Sequence, residues 1–431
     1  MADGRTRFPA DYNDALTVGR PPNIVTLFPN SKALIVSGKY IDRAMIEKGK
    51  AMTIAANGRS HIVIRGVLAA AQRARAAVII EIAKSEGGRE AYCPVSYWNI
   101  ARQVDAIANE LGITVPVAIH ADHYGIKNDA DLEQAREEIP SMFEAGITSI
   151  AIDASHQPDD RNLLANIAMK PYIPEWAGLE TEIGEIKGKD GLSSPAEAVF
   201  LIAGLNAYGI FPDWIALNNG TTHGIEASGQ GIDVDLTLAI HQAIAKYKVS
   251  GAQHGTSGNS FERLRQIAQK THTTKANVAT ALQMLSWGLS VNEEGNARQD
   301  ADGDFIKIEG EGMTEALWQD MLAYARSKGI SGGNYKKLNL PFENKILSQP
   351  EAVRRRMAKR VEDFTYTLLV DVFNAKGTAD LVIADILKNR SYHPGVKAEI
   401  MESKDEWTED AIVRKAAGLN SDKGPAGDFD D

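Results

Sequence analysis

From about residue 50 onward, short runs rich in β-branched residues alternate with longer stretches whose apolar positions recur at spacings of three and four. Eight runs carry the strand pattern: AMTIAAN (51–57), AAVIIEIA (76–83), VPVAIHA (115–121), TSIAID (148–153), GLETEIG (178–184), DWIALNN (213–219), VSGAQHG (249–255) and ANVAT (276–280). Between them, segments such as SYWNIARQVDAIANELG, ahead of the third run, and DLEQAREEIPSMFEAG, ahead of the fourth, have the apolar stripe of a helix resting on a core. Such alternation predicts parallel strands joined by crossover helices, and eight units predict an α/β fold closed into a TIM-type (β/α)8 barrel. An open, doubly wound sheet is the structural rival, but it usually carries a glycine-rich phosphate fingerprint after its first strand, and this chain has none.

The barrel domain is expected over 51–380, with a polar insertion near 286–314. Residues 1–50 read as an N-terminal extension and 381–431 as a C-terminal extension, with helices from about 315 closing the barrel and packing outside it. The terminal NSDKGPAGDFDD is too polar to offset the entropy of ordering it.

Polar residues gather where a barrel enzyme keeps its chemistry. Asn57, Asp122, His123, Asp153, Glu182, His223 and His254 all fall at or just beyond the C-terminal ends of the predicted strands. Of nine histidines, three close hydrophobic runs: His123 in AIHADHYG, His223 in NNGTTHG and His254 in GAQHGTSG. One histidine at a strand end is more often a hydrogen-bonded structural group. Three at equivalent positions, two of them followed by glycine, favour a metal site, and three imidazoles with an open position suit catalytic Zn²⁺. A Mg²⁺ site would bring mostly carboxylate and water ligands, whereas cobalt, iron and manganese stay compatible with this set. His120 is expected inside its strand or on the opposite pleat, away from the metal, and His156 is read as a turn residue rather than a group that supports the metal ligands from behind.

Charge narrows the partners. With 57 acidic and 47 basic residues the net charge is −10, which disfavours a nucleic-acid or anionic-membrane surface and requires any anionic ligand to meet a local positive site. The single cysteine, Cys93, excludes an intramolecular disulfide framework and reads as a buried thiol. No apolar run approaches the roughly 18–20 residues that span a bilayer, and the opening residues lack a secretory h-region, so a cytoplasmic protein is expected.

At these motifs the sequence resembles the class II, zinc-dependent fructose-bisphosphate aldolases, over about 51–280 with a weaker continuation to about 381. The family's HxDH element matches His120–Ala121–Asp122–His123. IAIDASH (150–156) and ETEIG (180–184) resemble its fourth- and fifth-strand segments, and GTTHG (220–224) and HGTSG (254–258) are similar to its later elements. The resemblance implies that His123, His223 and His254 hold Zn²⁺, that Asp153 and Glu182 form a second divalent position, and that Asp122 transfers a proton, with a monovalent cation also allowed. Phosphate would be bound around Gly224 and Gly255 and by Ser257, Asn277 and Thr280, with Asn57 beside the substrate. The implied reaction splits fructose 1,6-bisphosphate into dihydroxyacetone phosphate and glyceraldehyde 3-phosphate through a zinc-stabilised enediolate, in a homodimer or homotetramer.

Several positions depart from that pattern. Thr256 stands where the family usually has glycine, Ala279 where it has Asn or Asp, and Glu81 with Ala83 replace Gln and Ser; HGIEASG lacks the usual aromatic and lysine. The mobile-loop acid of the family lies opposite KGKDG, leaving Asp190, or alternatively Glu185, for that role. A second substrate phosphate would need a basic group, for which QPEAVRRRMAKR offers Arg354, Arg355, Arg356 and Arg360. A lysine Schiff base, drawing on Lys84 or Lys275 near strand ends, does not account for three histidines and an adjoining aspartate. The remaining rivals are an aldolase for another ketose phosphate, such as tagatose bisphosphate, a metal-dependent hydrolase or isomerase on the same barrel, and a non-catalytic metal-binding relative.

Overall fold

The computed structural model describes residues 10–89, 91–184, 191–220, 231–292, 295–301 and 303–419. Eight parallel strands close in sequence order: β1 Thr53–Asn57, β2 Val78–Ala83, β3 Val117–Gly125, β4 Ser149–Asp153, β5 Gly178–Ile183, β6 Trp214–Leu217, β7 Ser250–Gln253 and β8 Thr273–Val278. Because β1 pairs with both β2 and β8, the sheet has no edge and the open-sheet alternative is excluded. Helices cover the outside of the barrel, so β1 and β2 are buried throughout, which is why they read as continuous apolar runs rather than alternating ones.

Six strands lie within their expected runs, and two extend beyond them. β3 continues past Ala121 to Gly125, through a register shift between Ala121 and Tyr124. β8 starts at Thr273 rather than 276 and ends at Val278, with a helix, Thr280–Trp287, taking over directly. Lys275 hid that strand start, since a lysine inside a barrel is tolerated only with partners that come from other strands.

The N-terminal end of the barrel is covered by the helix Gly38–Lys48. Its Lys39 forms a buried ion pair with Asp213 at 3.0 Å, and its Asp42 accepts from Thr274 Oγ1 at 2.7 Å and pairs with Lys397. At the opposite end, a cluster around Trp287, Trp318 and Tyr335 anchors the short 3-10 helix Gly332–Leu338. Asn339 donates to Gln283 Oε1 at 2.8 Å, which fixes that segment against the mouth of the barrel. Among the described residues no helix is long and apolar enough to cross a membrane. Cys93 is buried, and burial pushes its thiol well up.

Candidate metal and substrate site

Strand alternation brings the site together. On β2, β3, β5 and β8, residues two apart point the same way, which sends His120 with Asp122, Glu180 with Glu182, and Lys275 with Asn277 into the barrel. His123 should then point outward. It does not, because the β3 irregularity gives it a left-handed backbone, φ 42, so that consecutive Asp122 and His123 both reach the site. Such a conformation costs a non-glycine residue of order 1–3 kcal/mol and is typical of functional positions.

Donor atoms converge around His123. Its Nδ1 lies 3.0 Å from Glu182 Oε1 and 3.4 Å from Asp153 Oδ2, and its ring stands nearly perpendicular to that of His254, with 4.3 Å between centroids. Ligand-capable atoms of Asp122, His123 and His254 lie within 4.8 Å of one another, and so do those of His123, Asp153 and Glu182. His254 Nε2 is 2.8 Å from Glu180 Oε1. Burial would raise Glu180, but Lys275 and the imidazoles outweigh it and keep that carboxylate ionised. An ionised carboxylate only accepts, so Nε2 carries the proton and the ring's lone pair is left on Nδ1. Burial and the neighbouring Asp153 push the Glu182 carboxyl well up. Two imidazoles with crowded carboxylates thus fit a borderline divalent ion, which would relieve that crowding.

Beneath this group lies an ionic layer that the sequence did not single out. Lys275, wholly buried, sits 2.7 Å from Glu180 Oε2, 3.2 Å from Glu81 Oε2 and 3.4 Å from Asp122 Oδ1. Burial would lower its ammonium, but Glu180, Glu81 and Asp122 outweigh burial and hold it above the usual lysine range, which argues against a Schiff-base nucleophile. Glu81 is pushed well above the usual carboxyl range by burial and by Asp122. His120 shares the layer, with Nδ1 2.8 Å from Ser149 Oγ, and burial lowers it to about 3, so it is neutral. Lys84 instead donates to Gly125 O at 2.7 Å, outside the barrel interior. His156 Nε2 stands 4.0 Å from Asp153 Oδ2.

Asp122 is the best-held carboxylate of the group. Asn277 Nδ2 donates to both its oxygens, at 3.0 and 3.1 Å. Burial would raise it, yet His123 and Lys275 hold it below the ordinary carboxylate value. It opens onto a cavity of ≈ 360 Å³ at the C-terminal mouth, which also meets His123, His254, Asn57, Gly255 and Ser257, together with Asn277 and Thr280. Gly255 has φ 59, which lets the backbone turn there, and the buried Ser257 Oγ and Asn57 Oδ1 have no protein partner among the described residues. Beside them the helix Thr280–Trp287 starts without a side-chain cap, so its first amide groups remain available to an anion. Thr256 Oγ1 turns away and donates to Gln253 O at 3.3 Å.

Of the expected site residues, His223, Gly224 and Asp190, together with Glu185, lie outside the described residues. The arginine run does not reach the cavity: Arg354 and Arg356 donate to backbone carbonyls of Gln349 and Gly312, Arg355 pairs with Glu351, and Arg360 faces Leu289 O and Glu311. Arg59 and Lys336 are the cations that line it among the described residues. Arg59 is locked to Glu86 at 2.5 Å and to Gln283 Oε1 at 3.1 Å.

Comparison with known proteins adds a family. The family model described as fructose-bisphosphate aldolase class-II matches residues 40–330. A fructose-bisphosphate aldolase of Streptococcus pneumoniae is 31% identical over 228 residues, covering 51% of this chain and 70% of the relative. One of Staphylococcus aureus is 33% identical over 127 residues, or 29% and 40% of the two chains. Among solved structures, the YdjI aldolase from Escherichia coli K12 superposes with a TM-score of 0.52 at 19% identity, over 80% of this chain and 99% of that one. The fructose-bisphosphate aldolase of Campylobacter jejuni gives 0.53 at 16%, over 80% and 97%.

Proposed function

Because the chain belongs to the class II fructose-bisphosphate aldolase family and is therefore an aldolase, we propose that it cleaves and forms a ketose phosphate, most simply fructose 1,6-bisphosphate. The observation that carries the reading is the meeting of Asp122, His123 and His254 at one cavity, with Asn277 holding the aspartate. His123 and His254, with His223, would hold the metal, and Asp153 with Glu182 would offer a second position. A Zn²⁺ bound there supplies a Lewis acid that draws electron density from the ketone oxygen.

The remaining work falls to the protein. In cleavage, Asp122 removes the proton of the C4 hydroxyl, and in condensation it returns it. Two donors from Asn277 and the ammonium of Lys275 keep it ionised and oriented for that task. Gly255, Ser257 and the amides opening the helix at Thr280 bind a phosphate, which sets the distance between the reacting carbons and Asp122. A loop acid, Asp190 or Glu185, would exchange the second proton.

The test is turnover of fructose and tagatose bisphosphates by purified enzyme with and without chelator. Release of aldehyde and dihydroxyacetone phosphate that stops with chelator and returns with Zn²⁺ supports the reading. Chelator-resistant turnover trapped by borohydride overturns it, and release of free phosphate alone assigns a hydrolase.

A further inference from the structure

At the opposite, N-terminal end of the barrel lies a second cavity, of ≈ 850 Å³, between the C-terminal end of helix Gly38–Lys48, the start of β7 and β8, and the helices Val234–Ala243 and Phe261–Lys270. That is the size range of a pocket for an organic ligand rather than a bare ion. The charge around it is lopsided. Arg43, Lys50, Lys248 and Lys270 line it without an acidic partner among the described residues, and Glu47 is its one acid; Lys397 is already neutralised by Asp42. In a chain of net charge −10 such a local surplus of cations stands against the general trend. Two of these lysines, Lys50 and Lys248, adopt left-handed backbone, φ 49 and 57, which glycine or asparagine would take at lower cost.

Two residues of the lining, His241 and Arg43, also carry buried donors. The backbone N–H of His272 donates to His241 Nδ1 at 3.2 Å, so the proton of the neutral ring is on Nε2. That N–H is buried and has no acceptor among the described residues, and Arg43 Nε is in the same condition. His241 stays neutral because burial, with His272 beside it, lowers it to about 3. Gly251 makes room for the ring: a Cβ there would stand 2.5 Å from Nε2. The walls are also apolar, since Met45 and Val249 line the cavity and Ile46 and Val396 leave 50% and 51% of their surface exposed at its edge.

We infer that this N-terminal mouth binds a nucleoside phosphate, its phosphates against Arg43, Lys50, Lys248 and Lys270 and its ring against Ile46 and Val396. Cations alone would suit any polyanion; the volume of the cavity and its apolar edge select one with an organic body. The site is remote from the cavity of Asp122, so it stands or falls independently of the proposed reaction.

Calorimetric titration of the holoenzyme with ADP and, separately, with pyrophosphate tests it. ADP is expected to bind at least five-fold more tightly than pyrophosphate. The Lys50→Ala/Lys270→Ala double variant is expected to weaken ADP at least ten-fold while its melting curve and its basal aldolase turnover match the parent. Lys248→Glu provides an independent variant with the same expectation. The inference is overturned by no binding of ADP, by pyrophosphate binding as tightly as ADP, by variants that bind like the parent, or by a changed oligomeric state that shows the surface to be a contact between copies.

Discussion

At the C-terminal mouth Asp122, Glu180 and Lys275 are buried, and each lies within 3.4 Å of an opposite charge. At the N-terminal mouth Lys50, Lys248 and Lys270 are exposed and have no acidic partner among the described residues. The contrast follows from solvation. An ion taken from water into a barrel loses several kcal/mol unless partners and hydrogen bonds replace the water, whereas an exposed ammonium keeps its hydration and needs no partner. Compensated charges therefore hold a geometry, and uncompensated ones remain available to something that arrives from outside.

The contrast can be broken first at the upper mouth. His254→Ala is expected to lose bound metal, read by elemental analysis, and to cut turnover by about 10³-fold, the several kcal/mol that a Lewis acid supplies. Asp122→Ala is expected to keep the metal while losing about 10²–10⁴ in kcat. Parent-like turnover in either variant would remove that residue from the mechanism. Lys275→Met leaves buried Glu180 and Asp122 without their cation and should cost about 3–5 kcal/mol in a urea titration; a loss under 1 kcal/mol would mean that the layer does not depend on compensation.

A smaller effect is expected at Glu343, whose carboxyl burial raises from 4.5 to about 7 and whose Oε2 has no partner among the described residues. Here the folded state holds the proton more tightly than the unfolded chain. Its contribution to stability is full below pH 4.5 and is lost as pH rises through 7. Allowing for partial exposure, Glu343→Gln should gain about 1–2 kcal/mol over the parent at pH 8 and almost nothing at pH 4.5, followed by denaturant midpoints at both pH values. The smallest effect belongs to the lower mouth, where Lys270→Ala should move the melting free energy by no more than about 0.5 kcal/mol. A large loss there would mean that Lys270 has a structural partner.

Much of the barrel was legible because strand ends announce themselves locally. Each of the eight runs needs only its own β-branched residues and the helix beside it, and Asp122, His123 and His254 sit in short motifs at those ends. The ionic layer was not legible in that way. Lys275 meets Glu180 across 95 residues and Asp122 across 153, so nothing near Lys275 in the chain says that its charge is neutralised. Alternation held the missing clue: His120, Glu180 and Lys275 each stand two residues before a site residue on their strand. The arginine run misled for the opposite reason, since its local density of charge is what helix pairs and exposed carbonyls absorb, while Arg59 and Lys336 stand apart in sequence and meet only in the folded mouth.

Gly333, Asn334 and Lys336 line the upper cavity although the family match ends at residue 330. Part of the pocket rim is thus supplied by an appended turn of seven residues, Gly332–Leu338, rather than by the shared barrel. The rim and the strand ends that bear Asp122, His123 and His254 come from separate stretches of the polypeptide. That turn can be exchanged to alter the rim of the pocket while leaving every strand end as it was.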